Sequence, residues 1–173
     1  MTPSAAGGER TLEVLGLDHL YVSVADFSRS EAFYDRLMRY LGFRKGDRQI
    51  AGEPHAHYFN RVLQLSIRPA RGGRVGHDPY APGLHHVCFQ VPDRASVDHA
   101  CATLRSWGVD ASEPRVWPEY NDDYYATFFS DPDGIRLEIV ARSKYRRAIA
   151  ERFGEFRVFL NPLQELRERT GRR

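Results

Sequence analysis

The chain has 173 residues, 42% hydrophobic and 28% charged, with 25 Lys plus Arg against 23 Asp plus Glu. That length suits one ordinary domain or two small modules, and a net charge of +2 excludes a uniformly basic nucleic-acid binder and a charge-driven disordered chain. No apolar run approaches the roughly 20 residues of a membrane span, and Cys88 and Cys101 are too few for a disulfide framework.

The charge is uneven: residues 141–173 hold 10 basic and 4 acidic side chains, which leaves the first 140 residues mildly acidic. Residues 1–12 read as a flexible N-terminus, and Met1 to Gly8 lack the hydrophobic region of a signal peptide, so the expectation is a soluble cytoplasmic protein.

Beyond this segment the chain is organised by an internal repeat. His19-Leu20-Tyr21-Val22-Ser23-Val24-Ala25-Asp26 lines up with His86-Val87-Cys88-Phe89-Gln90-Val91-Pro92-Asp93 at an offset of 67. Each copy opens with alternating apolar residues, the period of a strand with one face on a hydrophobic layer. In the first copy a helix comes next, capped by Ser28 or Ser30, with a stripe of Ala32, Phe33, Leu37 and Leu41 ending at Gly42. Strands are then expected around His57 to Phe59 and Arg61 to Ile67. Residues 69–82, rich in Gly, Pro and Arg, read as a linker between a first module at 13–68 and a second at 83–141.

In the second copy Ser96 is the expected cap, and Val97, Ala100, Cys101 and Leu104 form the helix stripe. Strands are expected at Ala126 to Phe129 and Ile135 to Val140, joined by a tight Asp131-Pro132-Asp133-Gly134 turn. The fold class is therefore α+β, with a strand, a helix and two or three strands repeated. Residues 142–173 form a basic C-terminal extension, in which Tyr145, Ile149, Phe153 and Phe156 predict a helix, Val158-Phe159-Leu160 comes after it, and Asn161-Pro162 makes a break. This extension is expected to dock on acidic surface of the body or of a second subunit.

Strand parity selects candidate site residues. If the apolar positions face the helices, then His19, Tyr21, Ser23, His86, Cys88 and Gln90 face the other way. His85 has the wrong parity, which favours His86. By the same reasoning Gln64 and Glu138 point inward from Leu63-Gln64-Leu65 and Leu137-Glu138-Ile139. A buried carboxylate needs a cation or strong donors, and a divalent metal would supply one. A single core histidine is ordinarily just hydrogen-bonded, but two at equivalent repeat positions together with Glu138 favour metal binding. His55 and His57 read as loop or edge-strand residues, and Cys88 lacks the surroundings of an activated nucleophile.

Three segments, Leu17 to Val24, Gly83 to Val91 and Phe128 to Glu138, make the chain resemble the vicinal oxygen chelate superfamily, which includes glyoxalase I, extradiol dioxygenases and bleomycin-binding proteins. The resemblance implies paired βαβββ modules forming an incomplete barrel around a metal site, often in a homodimer. It places His19, His86 and Glu138 where the family has metal ligands, with Fe(II), Mn, Ni, Co or Zn as candidate ions. Gln64 stands where glyoxalase I enzymes usually have a Glu ligand; it could ligate through its carbonyl oxygen but cannot act as a base.

Candidate catalytic residues are Glu138, for proton transfer, and Tyr124, which with Tyr120 belongs to an aromatic stretch at 117–125 that either packs at a dimer or barrel edge or supplies, from one of these two tyrosines, a hydrogen bond to a bound oxyanion. Tyr21, Ser23, Gln90, Tyr120 and Arg136 are candidate substrate-binding residues. The implied function is metal-dependent chemistry on a small oxygen-chelating molecule, with an extradiol dioxygenase-like reaction favoured slightly. The alternatives are a glyoxalase I-like lyase or isomerase and a non-catalytic bleomycin resistance-type binding protein. Neither nucleic acid nor membrane is an expected partner.

Overall fold

A computed structural model describes residues 12, 14–72, 76–156 and 161–170. The expected N-terminal segment 1–12 therefore lies almost wholly outside the described residues, as do 73–75 of the linker and Val158-Phe159-Leu160. The chain divides into two compact units, Met1–Arg74 and Val75–Arg173.

The first unit runs β1 (His19–Val24), α1 (Phe27–Tyr40), β2 (Arg44–Ile50), β3 (Glu53–Phe59) and β4 (Gln64–Pro69). Its sheet has the order β1-β4-β3-β2, with β1 parallel to β4 and the other neighbours antiparallel. The second unit repeats the plan with β5 (Val87–Val91), α2 (Arg94–Ser106), β6 (Arg115–Val116), β7 (Tyr125–Ser130) and β8 (Arg136–Ala141) in the order β5-β8-β7-β6. The expected βαβββ duplication is thus present in both units, as two separate four-stranded sheets.

The alternation of β1, β4, β5 and β8 buries one row of apolar side chains under each helix. In the first unit Val24, Leu65, Ile67 and Tyr58 pack with Tyr34, Leu37 and Met38 of α1, and in the second Leu137, Ile139 and Phe129 pack with Val97, Ala100 and Leu104 of α2. Each large side chain so buried contributes roughly 1.5–3 kcal/mol. The α2 stripe is as expected, whereas Ala32 of α1 is exposed and Tyr34 and Met38 take the core positions.

Both helix caps differ from expectation. Asp26, not Ser28 or Ser30, accepts from the Arg29 N–H at 3.1 Å, and Asp93, not Ser96, accepts from the Ser96 N–H at 2.8 Å. A carboxylate is both a good N-cap acceptor and a match for the helix dipole, and these two aspartates occupy equivalent repeat positions. Strand β2 is absent from the sequence expectation, because Arg44, Lys45, Asp47 and Arg48 hide its periodicity. It is an edge strand, where charge is tolerated and discourages pairing with other chains. It joins β3 through Ala51-Gly52, both with positive φ (52° and 80°) as a two-residue hairpin demands.

Matching bonds close each sheet: the Ala70 N–H donates to the Val24 carbonyl at 2.9 Å, and the Arg142 N–H to the Val91 carbonyl at 2.8 Å. Beyond Arg142 come α3 (Lys144–Glu151), a single 3-10 turn (Phe153–Glu155) and α4 (Pro162–Thr170). Pro162 opens a helix rather than breaking one, since its missing N–H costs nothing in the first turn, and the Asn161 side chain accepts from the Leu163 N–H at 3.0 Å. The extension docks on acidic residues of its own unit, as the Lys144 N–H and Tyr145 hydroxyl donate to Asp123 and Asp122 at 2.8 and 3.2 Å. Among the described residues, no helix is long and apolar enough to cross a membrane.

Candidate functional site

In the second unit β5 and β8 are parallel and in register, with Cys88 opposite Glu138, so the face away from α2 carries His86, Cys88 and Glu138 together. Glu138 is only 1% exposed, yet both its oxygens have partners. His86 Nε2 lies 3.2 Å from Oε2, and the Tyr124 hydroxyl donates to Oε1 at 2.5 Å. Burial, and next the carboxylate it donates to, holds the Tyr124 phenol well above the usual tyrosine range. The Cys88 thiol is likewise pushed up, by desolvation first and the Glu138 charge second, which disfavours the thiolate that a nucleophile needs.

Geometry separates the adjacent His85 and His86. His86 presents Nε2 to Glu138, while its Nδ1 is 2.6 Å from Nδ1 of His85. That contact fixes the ring of His86, the part an outer partner plays for a metal-binding imidazole. His85, which strand parity sets on the other face, thus reaches back to the His86 ring.

In the first unit the face away from α1 is crowded with imidazoles. His19 stands opposite Gln64, and Tyr21 opposite Ser66. His19 is exposed, with Nδ1 2.8 Å from Asp18 Oδ2, which orients its ring. The Gln64 side-chain NH2 donates to Ser66 Oγ at 2.7 Å and lies 3.2 Å from His57 Nδ1, itself 2.8 Å from Ser66 Oγ. The edge of Tyr21 meets the rings of His19, His55 and His57 at 5.6–6.1 Å.

His55 and His57 depart from the sequence expectation. Both are buried on the interior strand β3, not in a loop or at an edge. Burial, then the neighbouring His55 charge, lowers the His57 pKa, and its Nε2 has no hydrogen-bond partner. Their spacing of two is the available signal, but the sequence pattern marks only half of the strand they sit on.

The other expected residues divide. Gln90, Tyr120 and Tyr124 line one cavity of about 350 Å3 in the second unit, beside Cys88. Arg136 shares the face of Glu138, but its guanidinium lies 4.6 Å over the Phe128 ring and it does not line that cavity. Ser23 pairs in register with Arg68, outside the imidazole cluster.

Within each unit, among the described residues, no group of three or more His, Cys, Asp or Glu side chains is gathered to hold a metal ion. The chemistry of the His86–Glu138 pair nevertheless fits one. With ligand bonds of about 2.1 Å, two donors on one ion sit about 3.0 Å apart in octahedral and about 3.4 Å apart in tetrahedral coordination, and the observed separation is 3.2 Å.

Comparison with known proteins agrees with this architecture. The family model described as Glyoxalase/Bleomycin resistance protein/Dioxygenase superfamily matches residues 16–139. Uncharacterized protein YaeR of Escherichia coli K12 is 33% identical over 134 residues, 70% of this chain and 92% of that protein. The 2,2',3-trihydroxybiphenyl dioxygenase of Sphingomonas paucimobilis is 28% identical over 76% of this chain, which spans only 43% of that enzyme. Among solved structures, a glyoxylase/bleomycin resistance protein/dioxygenase domain from Frankia sp. EAN1pec superposes with a TM-score of 0.64 at 22% identity, covering 76% of this chain and all of that one.

Proposed function

Because the chain belongs to the glyoxalase/bleomycin resistance protein/dioxygenase superfamily, we propose that it is a metal-dependent enzyme acting on a small molecule with adjacent oxygen atoms. His19, His86 and Glu138 would be the ligands, and extradiol-type oxygenation on Fe(II) is the favoured reaction. A bound divalent ion would supply Lewis acidity and, if it is iron, a route for electrons to oxygen. The observation that carries the reading is the buried Glu138 carboxylate held between His86 Nε2 and the Tyr124 hydroxyl.

The residues of the chain have separable tasks. Tyr124 donates its one hydroxyl proton to Glu138 Oε1, so its task is to hold that carboxylate in place beside the metal position. Asp18 and His85 hold the rings of His19 and His86. Gln64, whose NH2 is committed to Ser66, offers no carboxylate to move a proton. An enediolate reaction would then depend on Glu138 alone, with one oxygen already occupied by Tyr124, which weighs against the lyase alternative. That 43% coverage of the dioxygenase leaves its activity a point of support and not an assignment.

Metal analysis of protein purified without added metal, beside His86→Ala and Glu138→Gln, tests the premise. The expected outcome is a stoichiometric divalent metal lost in both variants, with oxygen uptake on a catechol panel by the parent only. Unchanged metal content in His86→Ala would overturn the ligand assignment. A metal-free protein that binds catechols without turnover would instead support a binding module.

A further inference from the structure

Resting on the proposed function, we infer that the substrate carries a carboxylate and that Arg142 and Arg146 of the C-terminal extension receive it in the cavity beside Tyr124. That cavity has a volume of about 350 Å3, the scale of a small organic ligand. The body contributes Tyr124, Gln90 and Cys88, and the extension contributes Arg142, Arg146 and Leu163. Among the described residues, Arg142 and Arg146 are the only charged ones lining it.

The electrostatics of the extension leave these two arginines uncommitted. Lys144 is taken by Asp122, Arg152 by Glu155, and Arg169 by Glu155 and Glu165. Arg142 and Arg146 make no ion pair with a carboxylate among the described residues, and both side chains are exposed. Their backbone is fixed all the same, Arg142 by its N–H to Val91 and Arg146 by its N–H to the Ser143 hydroxyl at 3.1 Å. Two guanidinium groups on a fixed backbone, without an acid partner among the described residues and at the wall of a largely apolar cavity, are suited to a ligand that brings both an anion and a hydrophobic body.

The choice of carboxylate over phosphate rests on the donors on hand. At the start of α3 the Lys144 N–H is used by Asp123 and the Arg146 N–H by Ser143, so the helix end offers little to the additional oxygens of a phosphate. What remains are planar guanidinium forks, which pair bidentately with carboxylate and phosphate alike, so the preference for a carboxylate comes from those spent N–H groups and from the largely apolar wall. Both arginines lie beyond residues 16–139, the part that matches the family. Specificity would then reside in a segment outside the matched region, while the proposed metal-binding residues lie within it.

The full-length protein is titrated calorimetrically with phenylacetate, with the neutral isostere phenylacetamide and with inorganic phosphate. Phenylacetate should bind, and Arg142→Met and Arg146→Met should each weaken it about 10-fold or more, with Arg146→Lys recovering part of the loss. His86→Ala should bind phenylacetate normally even where it has lost metal, so the arginine pocket and the metal centre can fail independently. Equal binding of phenylacetamide, tighter binding of phosphate, or unchanged affinity in both Met variants with unaltered circular dichroism would overturn the assignment. Loss of phenylacetate binding in His86→Ala alone would place the anion on the metal and overturn it as well.

Discussion

Tyr124→Phe removes one oxygen and leaves the ring in place, which makes it a clean probe of what the phenol contributes to the buried Glu138 carboxylate. The lost contact is a 2.5 Å hydrogen bond to a carboxylate that is 1% exposed. Hydrogen bonds to charged groups contribute about 1.5–3 kcal/mol, so a loss of about 2 kcal/mol is expected. Trp107 and Trp117, the two tryptophans of the chain, both lie in the second unit, so their fluorescence during urea unfolding reports that unit alone. With a slope of about 2 kcal/mol per molar urea, the midpoint should fall by about 1 M. Chelator in the buffer removes any stabilisation by bound ion. In a Glu138→Gln background the same substitution should cost about 1 kcal/mol or less, since only a neutral acceptor remains. A midpoint shift under about 0.3 M, or an equal shift in both backgrounds, would refute a charged, phenol-bonded Glu138.

Other expectations concern the scaffold. Asp93→Ala should cost about 1 kcal/mol through loss of the α2 cap, read by the same tryptophan signal, and Asp26→Ala should do the same for α1 in hydrogen exchange. Ala51→Asn should stabilise the β2–β3 hairpin by about 0.5 kcal/mol, because asparagine tolerates the positive φ that alanine holds at 52°. A lowered melting temperature would show that Ala51 is not under backbone strain. Tyr58 donates to Asp35 at 2.8 Å, and burial and then that carboxylate raise its pKa. A raised folded value means a contribution present below the ordinary tyrosine pKa near 10 and lost as pH climbs beyond it. Tyr58→Phe should therefore be less stable at pH 7 and should flatten the alkaline decline in hydrogen-exchange protection of the first unit; a parallel decline in both proteins would contradict this.

Much of the scaffold is legible in the sequence because the repeat offset of 67 ties His19 to His86 and Asp26 to Asp93, and because period-two alternation names the faces of β1, β4, β5 and β8. The shared face of His86 and Glu138 obeys the same logic, whereas the bond from Tyr124 to Glu138 comes from a loop residue that no strand period places. What escapes is decided by tertiary context. The charged edge strand β2 carries no hydrophobic period, and without it β3 looks like an edge, so His55 and His57 read as peripheral. The caps are misplaced because serines close to a helix start compete with aspartates as acceptors, and only geometry separates them. Arg142 and Arg146 cannot be picked out among the ten basic residues of the extension until the fold places them on the wall of the cavity.

The matching bonds from Ala70 to Val24 and from Arg142 to Val91 mark the last point at which the two copies are alike. After the first the chain enters a connecting loop, and after the second it builds helices that wall a cavity. Among the described residues, no strand pairing of the duplicated scaffold uses a residue downstream of Arg142. Such a junction lets selection retune ligand preference through a short terminal appendage while the chemistry and the folding of the duplicated core stay under separate constraint.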